Sequence, residues 1–265
     1  MLMIEVKDIQ VGYDERIIIE ELSVQIPKGK ITTIIGPNGC GKSTLLKTMA
    51  RILKTKKGVV YLDKKVLHET SSKEIAKKMA ILPQTAEAPA GLTVRELITY
   101  GRFPHQSRFG RLKKEDMEAI DWAIEATQLS EFQDRSIEAL SGGQRQRVWI
   151  AMALAQDTEV IILDEPTTYL DMSHQLDVLQ LLEDLNRKHN KTIIMVLHDL
   201  NHASRFSHYL IAMRDGNVIT SGNPMEVMTQ QNLQKIFQIE PLLTICPFSN
   251  HPICLSYGKV KESTQ

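Results

Sequence analysis

Three stretches of the chain are β-branched or apolar throughout: ITTII at Ile31–Ile35, VIIL at Val160–Leu163 and TIIMVL at Thr192–Leu197. A strand with one wet face alternates polar and apolar side chains, whereas unbroken runs suit strands buried on both faces of a parallel sheet. Each run is followed by a polar or glycine-rich segment and then a helical pattern. That alternation predicts an α/β fold with βαβ crossovers. Ser71-x-x-Glu74 and Thr93-x-x-Glu96 read as capping boxes that start helices. Met117, Ile120, Ile124 and the flanking Trp122 predict an apolar stripe on a helix from Lys113 to Leu129. Leu176, Leu179, Leu182 and Leu185 predict another from Ser173 to His189. YLIAMRDGNVITSG, with Asp215-Gly216 at its centre, reads as a hairpin, and GVVYLDKK from Gly58 as a further strand. Between about Glu87 and Leu140 helix predominates, which predicts a helical insertion in the α/β core. After Gly222 the pattern is mixed, and the closing KVKESTQ is expected to fray.

Composition narrows this little. With 265 residues the chain makes one large domain, or one with a small appendage, and can bury a sizeable core. Lys+Arg and Asp+Glu both total 32, so nothing in the balance asks for nucleic acid or an anionic membrane as main partner. Cys40, Cys246 and Cys254 are too few and too scattered for a disulfide framework, and a reducing compartment is expected. Glu5, Lys7 and Asp8 stand where a secretory signal would need an apolar core. No apolar run approaches the roughly 20 residues that span a bilayer. If the protein serves a membrane, it must dock on a separate membrane subunit.

The first apolar strand runs into Gly36, Pro37, Asn38, Gly39, Cys40, Gly41, Lys42, Ser43 and Thr44, which match G-x-x-x-x-G-K-[ST] between a strand and a helix. Glycines let backbone N–H groups approach phosphate oxygens, and the helix that follows points its positive end at the same anion. Lys42 would neutralise the β- and γ-phosphates of a nucleotide, and the Ser43 hydroxyl would ligate Mg2+. Cys40 reads as a small filler. The second run ends in Asp164 and Glu165, at the carboxyl end of a strand where ligands of open α/β sheets bind. Asp164 is the candidate for the Mg2+ shell, and Glu165 for the general base that polarises an attacking water. His198 ends the third run and is a candidate contact to the γ-phosphate or that water. Gln84, after AIL, reads equally as a ligand of Mg2+ or water and as a surface glutamine.

Leu140 is followed by Ser141, Gly142, Gly143 and Gln144 and then an apolar helix. This is a second glycine-rich turn opening a helix, hence a second anion-binding terminus. LSGGQ resembles the signature of ABC ATPases, which other P-loop families lack. Tyr13 resembles the A-loop aromatic that stacks on adenine, Gln84 the Q-loop glutamine, Asp171 the D-loop aspartate and His198 the switch histidine. The resemblance reaches to about Gly222. It implies an α/β P-loop cassette over residues 1–222, with a parallel-sheet core, an N-terminal antiparallel β subdomain and a helical subdomain inserted at about 87–150. Residues 223–265 would form an extension packed on the cassette. One phosphate loop and one signature per chain imply a head-to-tail homodimer with ATP and Mg2+ between the copies.

YGRFPHQ at 100–106, TTYLDMSHQ at 167–175 and VLHDLNHASRFS at 196–207 resemble ATPases of the iron-chelate uptake group, which includes siderophore, haem and cobalamin importers; the wording is most similar to those for hydroxamates. This implies a peripheral subunit on the cytoplasmic face of the cell membrane. Its partners would be integral permease subunits and, indirectly, an extracytoplasmic binding protein, with no nucleic acid. The basic residues Arg95, Arg102, Arg108, Arg111, Lys113 and Lys114, with Phe103 and Phe109, read either as a permease docking surface or as a solvated basic face. A soluble ABC ATPase without a transporter is the alternative, although the chain lacks the second cassette or long coiled coil of such relatives. A non-hydrolysing scaffold fits poorly with Glu165 and His198. His251 between Cys246 and Cys254 fits no common zinc spacing and reads as structural.

Overall fold

The chain opens with two long strands, β1 (Leu2–Tyr13) and β2 (Arg16–Pro27), followed by β3 (Ile31–Ile35), α1 (Lys42–Met49), β4 (Lys57–Leu62) and β5 (Lys65–Val66). β1 pairs antiparallel with β2 on one edge and β4 on the other, and β5 extends the sheet to the order β2-β1-β4-β5. The register sets Ile4 opposite Ile26, Val6 opposite Val24, Ile9 opposite Leu22 and Val11 opposite Ile19, all of them buried, as is Met3. The computed structural model describes residues 1–84, 88–106 and 111–260. It divides into two compact units, Met1–Glu69 with Ile194–Gln265, and Thr70–Ile193.

The Thr70–Ile193 unit holds α2 (Ser72–Ala76), β6 (Met79–Leu82), α3 (Val94–Thr99), α4 (Lys114–Ala126), α5 (Gly142–Ala155), β7 (Val160–Leu163) and α6 (Met172–His189). Both expected capping boxes form, on Ser71 and Thr93. β6 and β7 run parallel, Met79 opposite Val160 and Leu82 opposite Leu163. β7 is buried along its whole length, as its unbroken apolar sequence requires.

Two expectations are corrected in this unit. Met117 is exposed, and its neighbour Asp116 is buried instead. The reason is Arg102, buried beside it: Arg102 Nε donates to Asp116 Oδ1 at 2.9 Å and Arg102 Nη1 to the Ala155 carbonyl at 2.6 Å. The basic run is therefore not one solvated face, since Arg102 is internal and Arg95 is paired with Asp121 at 2.6 Å. Phe103 is exposed and stacks on Tyr100 at 4.9 Å. Arg108 and Phe109 lie outside the described residues, as does most of the tail expected to fray.

β8 (Thr192–Val196) crosses from one unit to the other. After it come α7 (Leu200–Phe206), β9 (Tyr209–Arg214), β10 (Asn217–Gly222), α8 (Pro224–Val227), α9 (Gln230–Phe237), β11 (Ile239–Ile245) and β12 (Pro252–Lys259). β3 pairs parallel with β9, and β9 turns into antiparallel β10 through Asp215 and Gly216, both at positive φ. β11 and β12 form a hairpin fastened to α7. Asn201 donates from Nδ2 to the Cys254 carbonyl at 3.1 Å and accepts from the Cys254 N–H at 2.8 Å, and Ser204 Oγ donates to the Pro252 carbonyl at 2.6 Å. Among the described residues no helix is long and apolar enough to cross a membrane.

Candidate active site

Gly41 is the N-cap of α1 at φ 103°, a left-handed conformation that a side chain would strain. It lies against Ile18 and Ile19 of β2. The turn formed by Gly36 to Gly41 thus passes directly from β3 into a helix N-terminus with no acidic residue in its first turn. That leaves the positive end of α1 without an internal counter-charge, a geometry suited to an anion. Lys42 is only 6% exposed; its ammonium donates to the Gly36 carbonyl at 2.8 Å and the Pro37 carbonyl at 2.9 Å. These two acceptors fold the charge back over the loop. Cys40 is buried, and burial pushes its thiol above the ordinary range despite the nearby Lys42 cation, as fits a filler rather than a nucleophile. Gly39 has open space around its α-carbon, Ser43 is half-buried and Thr44 is buried at the helix start.

His198 belongs to the same unit. The Leu197 N–H donates to the Ile34 carbonyl at 3.4 Å, which brings the end of β8 level with the end of β3. His198 is the next residue, exposed, and Gly36 is two residues beyond Ile34. Tyr13 ends β1, exposed, on the hairpin whose second strand carries Ile18 and Ile19.

In the other unit the Asp164 N–H donates to the Leu82 carbonyl at 3.0 Å, which aligns the ends of β7 and β6. Gln84 and Glu165 are thereby brought together: Gln84 Nε2 donates to Glu165 Oε2 at 2.7 Å. Thr168 Oγ1 donates to the same oxygen at 3.0 Å. Glu165 itself takes φ 54°, an uncommon conformation for a residue with a side chain and one found at functional turns. Asp164 is 5% exposed. A carboxylate oriented by two donors at the end of a buried strand has the chemistry of a candidate general base.

The second glycine-rich turn caps α5. Ser141 Oγ accepts from the Gln144 N–H at 3.2 Å, and the Ser141 N–H donates to Gln144 Oε1 at 3.0 Å. Asp171 is the N-cap of α6, accepting from the His174 N–H at 2.9 Å and from His174 Nδ1 at 2.8 Å. Those two hydrogen bonds hold the Asp171 carboxyl below the usual carboxylate range. The sequence reading missed His174 and the Arg102–Asp116 pair. His174 carried one usable signal, its position three residues after a capping Asp. Cys246 and Cys254 lie at the C-terminal hairpin, where His251 Nδ1 is engaged with the Ser249 carbonyl at 2.6 Å.

With this geometry the chain belongs to the ABC transporter family, whose sequence pattern matches residues 19–168. It is similar over its full length to the iron(3+)-hydroxamate import ATP-binding protein FhuC of Bacillus subtilis, with 58% identity over 265 residues, 100% of this chain and 98% of the relative. The ferric enterobactin transport ATP-binding protein FepC of Escherichia coli is 45% identical over 258 residues, covering 97% and 95%. Among solved structures, the ATP-binding cassette MJ1267 in its ADP conformation superposes with a TM-score of 0.80 at 27% identity, covering 89% of this chain and 98% of that one. The dimeric ABC transporter cassette MJ0796 gives a TM-score of 0.73 at 31% identity, covering 83% and 98%.

Proposed function

We propose that this chain is the ATP-hydrolysing subunit that energises import of a ferric siderophore through a separate membrane permease. The observation that carries the substrate class is the full-length 58% identity to the hydroxamate import protein. The enterobactin relative at 45% supports the wider siderophore reading. The subunit works as a pair of copies, peripheral to the membrane and on its cytoplasmic face, with an extracytoplasmic binding protein delivering the chelate to the permease.

In this reading the N–H groups of Gly39 to Thr44 and the Lys42 ammonium hold the β- and γ-phosphates, and Tyr13 stacks on the adenine. The Ser43 hydroxyl, the Gln84 amide oxygen and the Asp164 carboxylate would be the metal donors. An all-oxygen set with a single carboxylate fits Mg2+, which keeps waters and phosphate oxygens in its shell. When bound, Mg2+ supplies charge neutralisation at the phosphate oxygens. Glu165 accepts a proton from the attacking water as its oxygen bonds to the γ-phosphorus. The bond from that phosphorus to the β,γ-bridging oxygen breaks, and ADP takes the electron pair. The hydrogen bond from Gln84 supports this role by fixing the carboxylate. His198 contacts the γ-phosphate, and Ser141 to Gln144 with Asp171 act on the nucleotide held by the other copy. Loss of the γ-phosphate then lets the pair open.

The test is uptake of radiolabelled ferric siderophores by cells lacking this protein, complemented with the wild type or with Glu165→Gln. Uptake restored by the wild type alone is the expected result. Unchanged uptake of hydroxamates, enterobactin, haem and cobalamin in the deleted cells would remove the iron-chelate reading.

A further inference from the structure

His174 lies within the 167–175 phrase but has been given no role by any of the motifs described, yet it touches two functional elements. Its Nδ1 is 2.8 Å from Asp171 Oδ1; a carboxylate oxygen only accepts, so Nδ1 carries the hydrogen. Its ring lies against the signature: a β-carbon added to Gly143 would stand 2.5 Å from His174 Cδ2 and 2.8 Å from Cγ. Gly143 sits in the first turn of α5, and a larger residue there would have to displace this ring. One turn further along both helices a second tie repeats the contact, Arg147 Nη2 donating to Asp177 Oδ2 at 2.7 Å. Two contacts in step along α5 and α6 fix the helices against sliding as well as separation. Beside the first tie Tyr169 is 95% exposed and Met172 77% exposed, on either side of Asp171 in the sequence.

We propose that His174 is a positioning residue that locks the signature turn to Asp171, so that both meet the nucleotide of a second copy as one rigid body. The inference rests on the proposed function, in which both elements act across the pair. Its chemistry is a single N–H donor at the distance of Nδ1, together with a ring that fills the space left by Gly143. The effect belongs to pairing and turnover, since neither Asp171 nor the signature binds the nucleotide of its own chain.

The experiment uses the full chain in the Glu165→Gln background, which is expected to pair on adding ATP. Two quantities are read: binding of a fluorescent ATP analogue by the single chain, and the ATP-dependent dimer dissociation constant by sedimentation. His174→Leu should leave analogue binding within twofold and weaken pairing about fivefold, the upper end of what one exposed hydrogen-bonded pair is worth. With Glu165 restored, kcat should fall to a similar extent with KM for ATP little changed. His174→Asn, which places an amide N–H near the position of Nδ1, should recover most of the loss. His174→Ala takes the place of the leucine variant if that chain fails to fold. Pairing within twofold of the parent in both apolar variants would overturn the inference, as would an asparagine variant no better than leucine. A parent Glu165→Gln chain that never pairs would count against the proposed function itself, and the inference would fall with it.

Discussion

Removing Asp116 should cost far more than an ordinary surface charge. Its side chain is 5% exposed and that of Arg102 7%. Asp116 Oδ1 accepts from Arg102 Nε at 2.9 Å, and Oδ2 accepts from the Lys113 N–H at the same distance. Asp116→Ala leaves the guanidinium buried with only the Ala155 carbonyl, and leaves the Lys113 N–H without its capping acceptor. Breaking a buried pair from one side costs about 3–5 kcal/mol, whereas an exposed pair is worth roughly 0–1 kcal/mol. With a urea m-value of about 3 kcal/mol/M, the midpoint should drop by about 1–1.7 M. Trp149 and Trp122 sit on α5 and α4, so tryptophan fluorescence reports on this unit directly. The pH dependence has a definite sign. Burial pushes the Asp116 carboxyl up, but the Lys113 N–H and the Arg102 guanidinium outweigh it and hold the carboxyl below its usual range. Its stabilisation is therefore complete above the unfolded value near about 3.9 and fades only as pH falls through the lower folded value. The gap between wild type and variant should stay constant from neutral to mildly acidic pH. A midpoint shift below about 0.3 M urea, or a gap that closes by pH 5, would refute the reasoning. Replacing both residues by apolar ones, Asp116→Leu with Arg102→Met, should recover much of the loss, because no unpaired charge remains.

Glu165→Gln should bind ATP as well as the wild type while turnover falls at least about 100-fold; normal turnover would remove Glu165 as the base. Lys42→Ala should abolish nucleotide binding, read by equilibrium titration with a fluorescent ATP analogue, and binding within threefold of wild type would defeat the loop assignment. Alkylation followed by mass spectrometry should label Cys246 before Cys40 at pH 7.5. Hydrogen bonds from Ser249 and the Phe248 N–H lower the Cys246 thiol, whereas burial raises that of Cys40, and the thiolate is the reactive form. The reverse order would contradict the burial of Cys40 in the loop.

The elements that were legible in the sequence are those whose cause is local. β3, β7 and β8 showed themselves because a strand covered on both faces is built of apolar or β-branched residues with no charge to interrupt it. The caps at Ser71 and Thr93 were legible because donor and acceptor lie three residues apart. The Gly36–Thr44 loop and the Ser141–Gln144 turn were legible because a tight glycine-rich turn into a helix start restricts residue type at fixed spacing. Asp116 was not: in one dimension it is a charge in a charged stretch, and its burial depends on an arginine fourteen residues earlier. Met117 was misplaced for the same reason, since the helix turned inward the face that carries the ion pair. His174 and Gly143 stand in different motifs, and their contact is set by how α5 crosses α6. The bonds from Asn201 to the Cys254 backbone span fifty-three residues and involve main-chain atoms that leave no trace in side-chain pattern.

The division of the chain has a consequence for its birth on the ribosome. The Thr70–Ile193 unit is one uninterrupted segment, while its companion is assembled from residues on either side of it. β3 finds its parallel neighbour β9 only after the whole intervening unit has been made, since Thr32 lies opposite Tyr209. At ordinary elongation rates that is a delay on the order of ten seconds, during which a strand destined for full burial and the glycine-rich loop behind it lack their parallel neighbour. The half of the candidate site translated first is thus the half completed last. Nascent chains arrested beyond Ile193 should already protect the later-encoded carboxylate half from protease, while Ile31–Ile35 stays cleavable until residues past Arg214 have emerged.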